Sequence, residues 1–296
     1  MTRILLLGAN GQVGWELHRC LMTVGEVIAT TRKEIDLTDN QNIIDVISAI
    51  RPDLLINAAA YTAVEQAEDE PEIANQVNGY ALEAISQCAK KYNFPVIHYS
   101  TDYVFDGTKG EPYTEEDTPN PINAYGRSKL LGEQILQSSG VPHLIFRTSW
   151  IYGMRGKNFL LTMLRLAKER KEIKVVNDQY GTPTWSRFVA QATAHVLVRN
   201  NCNLEKNFAS YSGVYHLTPS GVTTWYEFAK AIFTIFTDNL IKVIPISSDE
   251  YPTKAKRPSF SSLNCQKARK TFDLNHPNYL YIVEKVLQLQ ETFGFG

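Results

Sequence analysis

Two residues of complementary chemistry stand four apart in the run Tyr125-Gly126-Arg127-Ser128-Lys129. Four residues make about one helical turn, so a helix here projects the phenol and the ammonium from one face. A phenol alone is a poor acid-base group at neutral pH, with an ordinary pKa of about 10. A cation held beside it stabilises the phenolate, so the spacing predicts a lowered phenol pKa and proton transfer during redox chemistry at a carbonyl or alcohol. The same spacing is common on solvated helix faces, and its meaning depends on what surrounds it. Upstream, Ser100-Thr101-Asp102 closes a predicted strand, at the sheet edge where open α/β folds bind ligands. Thr101 is placed to hydrogen-bond a substrate carbonyl and sharpen proton transfer from Tyr125; the alternative is a simple turn cap.

Such a pair needs a hydride source nearby. Gly8-Ala9-Asn10-Gly11-Gln12-Val13-Gly14 follows the first predicted strand and opens the first predicted helix. One glycine permits the tight turn, one lets backbone approach a pyrophosphate, and one lets helix pack on strand. The helix N-terminus offers free N–H groups and partial positive charge to phosphates. Gly8, Asn10, Gly11, Gln12, Val13 and Gly14 are therefore expected to bind a dinucleotide. At the end of the second strand, Ala29-Thr30-Thr31-Arg32-Lys33 carries cations where an NAD-selective fold carries a carboxylate. Arg32 and Lys33 thus point to NADPH, with NADH possible, although both also read as solvated loop charges. Asp36 and Leu37 are placed to embrace the adenine edge. Ala59, Ala60 and Tyr61 follow the third strand, towards the nicotinamide ribose, or else serve helix–sheet packing.

The elements that must hold these residues alternate. Strands are predicted at 3–7, 26–30, 54–60, 95–100 and 144–148. Helices are predicted at 13–23, at 40–50 with Asp39 as cap, at 75–92 as one long helix, and from Tyr125 to Gln137. Strands separated by helices of this length give a parallel sheet with right-handed crossovers, a doubly wound α/β fold of Rossmann type. Residues 1–150 are read as the dinucleotide-binding domain. Residues 151–296 are read as mainly a second, smaller α/β substrate-binding lobe, with 187–217 returning to the first domain. Within it, helices are expected at 158–170, 187–198, 225–236 and 278–293, a strand at 214–217, and a polar surface loop at 200–212.

The specific runs resemble the dTDP-4-dehydrorhamnose reductases, within the extended short-chain dehydrogenase/reductases whose Gly-x-x-Gly-x-x-Gly spacing the loop shares. They are the glycine loop, Asn57 to Val64, Tyr99 to Gly107, Tyr125 to Lys129, Phe146 to Trp150, Asn177 to Thr184, Tyr215-His216-Leu217 and Arg257-Pro258. The resemblance implies reduction of the 4-keto group of dTDP-4-dehydro-L-rhamnose to dTDP-L-rhamnose, the last step in making that sugar donor. It implies Tyr125 as the acid and Lys129 as anchor of the nicotinamide ribose and tuner of the phenol, with Thr101 orienting it. Asp102 and Trp150 match positions near the sugar nucleotide, an indole after an apolar strand being otherwise core. Some members dimerise around Mg²⁺ held by acidic side chains. Glu16 fits one such ligand, but Arg187 puts a cation where another is expected, so no metal is assigned and monomer and homodimer stay open.

The totals bound the partners. The 296 residues are 44% hydrophobic and 21% charged, with a net charge of -1, which speaks against nucleic acid or an anionic membrane as main partner. No apolar run is long enough to span a bilayer, and the first residues read as a buried strand instead of a signal peptide. Cys20, Cys88, Cys202 and Cys265 have no metal-ligand or redox spacing and read as small buried residues of a reducing cytoplasm. A dehydratase needs a second acid after Thr101-Asp102, where Tyr103 stands. An epimerase would hold NAD tightly, against Arg32 and Lys33, and a non-catalytic module would tolerate a damaged Tyr–Lys pair.

Overall fold

The structure, a computed structural model, describes residues 1–199, 204–236 and 241–293. Five parallel strands, β1 (Arg3–Leu7), β2 (Glu26–Thr30), β3 (Leu54–Asn57), β4 (Val96–Thr101) and β5 (His143–Thr148), join Gly213–His216 in one sheet. The order is Gly213–His216, β5, β4, β3, β1, β2. The order reverses between β1 and β3, and the crevice beyond the carboxyl ends of those two strands is where ligands bind in such sheets.

Burial on both faces explains the apolar strands. Successive side chains point to opposite faces. Ile4 and Leu6 therefore enter one core with Leu54, Ile56 and Phe146, while Leu5 and Leu7 enter the other with Leu55, Val96 and Ile145. Helix α1 (Gln12–Cys20) covers the first face; α2 (Asn40–Ile50) and α4 (Ala81–Tyr92) cover the second. Asp39 caps α2 by accepting from the Gln41 and Asn42 N–H groups, which satisfies donors the helix leaves open.

The long helix expected at 75–92 is divided. A short α3 (Pro71–Asn75) runs into a π-helical turn, Gln76–Tyr80, before α4. The reason is tertiary. The turn leans on α5 (Ala124–Ser138), and a Cβ at Gly132 of that helix would overlap the Asn78 carbonyl. Asn78 also donates to Ser128 Oγ at 2.9 Å and to the Tyr61 carbonyl at 3.0 Å. A widened turn lets backbone and amide reach α5 together, and such turns recur near functional sites.

Beyond β5, helix Ser186–Arg199 packs on α1 and strand Gly213–His216 pairs with β5. Glu172–Val176 pairs in parallel with Lys242–Ile246, and helix Trp225–Phe236 packs on both and on Phe159–Glu169. Phe228, Ile232 and Val283 continue the core of the first sheet face. The loop expected at 200–212 is in part a helix, Leu204–Tyr211, whose Phe208 is buried in that core and anchors an otherwise polar stretch; residues 200–203 lie outside the described residues. Among the cysteines, Cys88 is buried, Cys20 and Cys265 are half-buried, and all three are free thiols; Cys202 lies outside the described residues.

Candidate active site

Backbone closeness shapes the glycine loop. Gly8 turns left-handed at φ +76°, and a Cβ there would stand 2.6 Å from the Ala59 nitrogen. The loop after β3 can approach only because that carbon is missing. At Gly14 a Cβ would lie 2.7 Å from the Gly8 carbonyl carbon, so α1 seats directly on the turn. Gly11 occupies the N-cap with no side-chain cap, so the first-turn N–H groups face the cleft unclaimed by a side chain. Free N–H groups at a helix N-terminus of this kind suit an anion such as a pyrophosphate.

The loop opens into a cleft of about 1020 Å³. Gly8, Asn10, Gly11, Gln12 and Val13 line one end, and Arg32, Asp36 and Leu37 stand beside them. Ala59, Ala60 and Tyr61 line the middle, and Thr101, Asp102, Tyr125, Lys129 and Trp150 the far end. Gly14 packs beneath the cleft instead of lining it. Lys33 is exposed and outside the lining. Arg32 is 78% exposed and 3.5 Å from the Asp36 carboxylate, an ion pair at the cleft mouth. Backbone donation from Thr38 holds the Asp36 carboxyl below its ordinary range. Leu37 is buried and belongs chiefly to the core.

At the far end, Asn123 caps α5 through the Gly126 N–H at 2.7 Å, and Glu68 accepts the Ala124 N–H at 2.7 Å. Tyr125 therefore sits in the first helical turn, edge-on to Tyr103 at 6.0 Å. Thr101 Oγ donates to Asp102 Oδ1 at 3.1 Å, accepts the Tyr103 N–H at 3.2 Å and hydrogen-bonds the Tyr125 phenol. Ser261 donates to Asp102 Oδ2 at 2.5 Å. Burial pushes the Asp102 carboxyl up to about 7 against those two hydroxyls.

The expected lowering of the phenol pKa is not found. Burial pushes Tyr125 up to about 12, the Thr101 hydrogen bond opposing and the Asp102 charge adding to the rise. The reason is where Lys129 goes. Its ammonium donates to the Tyr99 carbonyl at 2.6 Å and lies 3.3 Å from His98 Nε2, down against β4. Desolvation pushes Lys129 itself down to about 8, opposed by Glu133. Glu133 is held in turn by Arg147 of β5 in a fully buried pair, Nε–Oε1 at 2.9 Å and Nη2–Oε2 at 2.6 Å.

Trp150 follows β5 with left-handed backbone, φ +46°. Its indole stacks on Trp225 at 3.6 Å and 8°, which holds an apolar plate in the cleft wall. Sequence reasoning missed Trp225, and its only local signal is the aromatic start of its helix. Ser261 has none, being 159 residues from its partner. Glu16 and Arg187 form an ion pair at 3.0 Å away from this cleft, so the carboxylate considered as a metal ligand already has a cation. No described helix is long and apolar enough to cross a membrane.

The chain matches the RmlD substrate binding domain family model over residues 1–291. It is 44% identical to a dTDP-4-dehydrorhamnose reductase of Burkholderia thailandensis, over 95% of this chain and 96% of that one. It is 43% identical to the Salmonella typhimurium reductase, over 96% of each. The crystal structure of the Bacillus anthracis reductase in complex with NADP superposes with a TM-score of 0.88 at 35% identity, covering 97% of this chain and 99% of that one. The chain belongs to the dTDP-4-dehydrorhamnose reductase family.

Proposed function

We propose that this protein reduces the 4-keto group of dTDP-4-dehydro-L-rhamnose to dTDP-L-rhamnose, using NADPH with NADH as a possible substitute. The observation that carries the reading is a single cleft that joins the glycine cradle to Thr101, Tyr125 and Lys129. The cradle and Arg32 suit a phosphorylated dinucleotide, which when bound supplies the hydride. Lys129 anchors its nicotinamide ribose, and Ala59, Ala60 and Tyr61 flank it.

The chain's own residues manage the proton. With its phenol at about 12, Tyr125 is fully protonated at neutral pH and so is loaded to donate as charge develops on the carbonyl oxygen. The Thr101 hydroxyl, its own O–H given to Asp102, accepts from the phenol and orients it. Asp102 and the Trp150 plate position the sugar, the indole offering an apolar face to a pyranose ring. Tyr103, where a dehydratase would need an acid, stands T-shaped to Tyr125 and offers no carboxylate. The Glu16–Arg187 pair removes one acidic ligand from an interfacial Mg²⁺ site, so we propose that assembly, monomer or homodimer, does not depend on that ion. The reading places the protein in the cytoplasm.

Mixing the chain with NADPH and dTDP-4-dehydro-L-rhamnose should consume reduced cofactor, followed by absorbance. Tyr125→Phe should abolish turnover while NADPH binding survives. Absence of sugar-dependent oxidation in the wild type refutes the activity. Near-normal turnover in the variant refutes the acid.

A further inference from the structure

Two buried polar side chains lie beneath Lys129 without a part in this chemistry. Asn57 ends β3, and His98 is its register partner on β4; they are 1% and 0% exposed. Register partners on adjacent strands share a sheet face. Asn57 Nδ2 accordingly lies 3.2 Å from His98 Nδ1, and the other ring nitrogen, Nε2, lies 3.3 Å from Lys129 Nζ.

Hydrogen-bond logic settles who donates. The Ala59 N–H donates to Asn57 Oδ1 at 3.1 Å. Only the oxygen of an amide can accept, so the NH₂ group faces the ring. An NH₂ only donates, and His98 Nδ1 must therefore carry a lone pair. The ring is neutral, because burial and the neighbouring lysine charge hold His98 well below its ordinary range, with His143 adding to the effect. A neutral imidazole has one proton, which then sits on Nε2. An N–H thus points at Lys129 Nζ. An ammonium has three donors and no acceptor, and one of them already goes to the Tyr99 carbonyl. Donor meets donor, and the conflict ends only when Nζ has a lone pair.

We infer that Asn57 and His98 are positioning residues for Lys129: the amide locks the imidazole tautomer, and the locked Nε2–H receives the lysine as an amine. Resting on the reductase reading, this assigns them to setting the charge of the lysine that anchors the nicotinamide ribose. The amine form accepts from His98 Nε2, and a solvent proton restores the ammonium. Other groups face Lys129. Glu133 on α5 favours its charged form, and Arg147 from β5 holds that carboxylate bidentate. From β4 come His98 and the Tyr99 carbonyl.

Two measurements on the full chain with NADPH test this. Nitrogen-15 NMR of labelled histidine should show His98 protonated on Nε2 and bare on Nδ1; the opposite tautomer overturns the inference whatever any variant does. Asn57→Asp keeps the shape and an acceptor for Ala59 but removes the donor, forcing the proton to Nδ1 and turning Nε2 into an acceptor for the ammonium. The Lys129 titration, followed by its Cε chemical shift, should then rise by about one unit or more, and the alkaline limb of kcat should move with it. A folded variant with an unshifted Lys129 overturns the inference. Neither NMR readout requires turnover, so loss of sugar reduction in the wild type would remove the functional reading while leaving the tautomer lock to stand or fall on its own.

Discussion

The second and third glycines of the loop, Gly11 and Gly14, do different jobs, and alanine separates them. At position 14 a methyl would lie 2.7 Å from the Gly8 carbonyl carbon and closer still to its oxygen. Both are backbone atoms, so relief requires α1 to move off the turn by roughly 1 Å to restore ordinary contact. Forcing a methyl into a packed backbone contact destabilises by about 1–3 kcal/mol. In a chain of this length, with unfolding entropy near 0.6 kcal/mol/K, that lowers Tm by about 2–5 °C. At position 11 the same methyl meets only the Gly8 oxygen, at 3.3 Å, and Gly11 has ordinary φ of -73°. Stability should stay within about 0.5 kcal/mol of wild type. Gly11 lines the cleft, however, so the methyl stands in the proposed pyrophosphate cradle, and NADPH affinity should fall about tenfold or more, or 1.4 kcal/mol. Thermal melts and fluorescence titration with NADPH read the two effects. Gly14→Ala melting like wild type would refute the packing argument. Gly11→Ala binding NADPH at full affinity would refute the cradle.

Two further expectations concern buried charge. Glu133→Gln leaves the Arg147 guanidinium without its carboxylate in a site 4% exposed; urea unfolding should show a loss of about 3–5 kcal/mol, and Glu133→Leu with Arg147→Met should recover most of it. The Asp102 carboxyl stands at about 7, above its ordinary 3.8, so the folded state holds a proton that the unfolded chain releases. Its contribution is therefore full below pH 3.8 and is lost as pH rises towards 7. Melts at pH 5 and pH 8 should show Asp102→Asn gaining on the wild type at the higher pH, and an equal gap at both would contradict the raised carboxyl.

Local chemistry made much of this molecule legible. Apolar runs buried on both sides announce parallel strands, Asp39 announces the start of α2, and glycines directly after β1 announce a tight, closely packed strand-to-helix turn. Each of these signals acts within a few residues, so a linear reading captures it. The π-helical turn at Gln76–Tyr80 was hidden because its cause, close approach to α5 at Gly132 and Ser128, lies about fifty residues away. The helix Leu204–Tyr211 was hidden because one buried phenylalanine anchors a polar segment.

The Tyr125–Lys129 spacing shows the same division. Sequence alone determined that phenol and ammonium share a helix face, one turn apart, behind a strand ending in Thr101, because helical periodicity is local. It could not determine where the ammonium points. The register of β3 with β4 places Asn57 and His98 beneath Lys129, and the Tyr99 carbonyl accepts one of its hydrogen bonds, so the charge is drawn down to the sheet. Burial then dominates the phenol and keeps it protonated. Solvent exclusion and hydrogen-bond competition belong to all the neighbours at once, and only the tertiary structure assembles them.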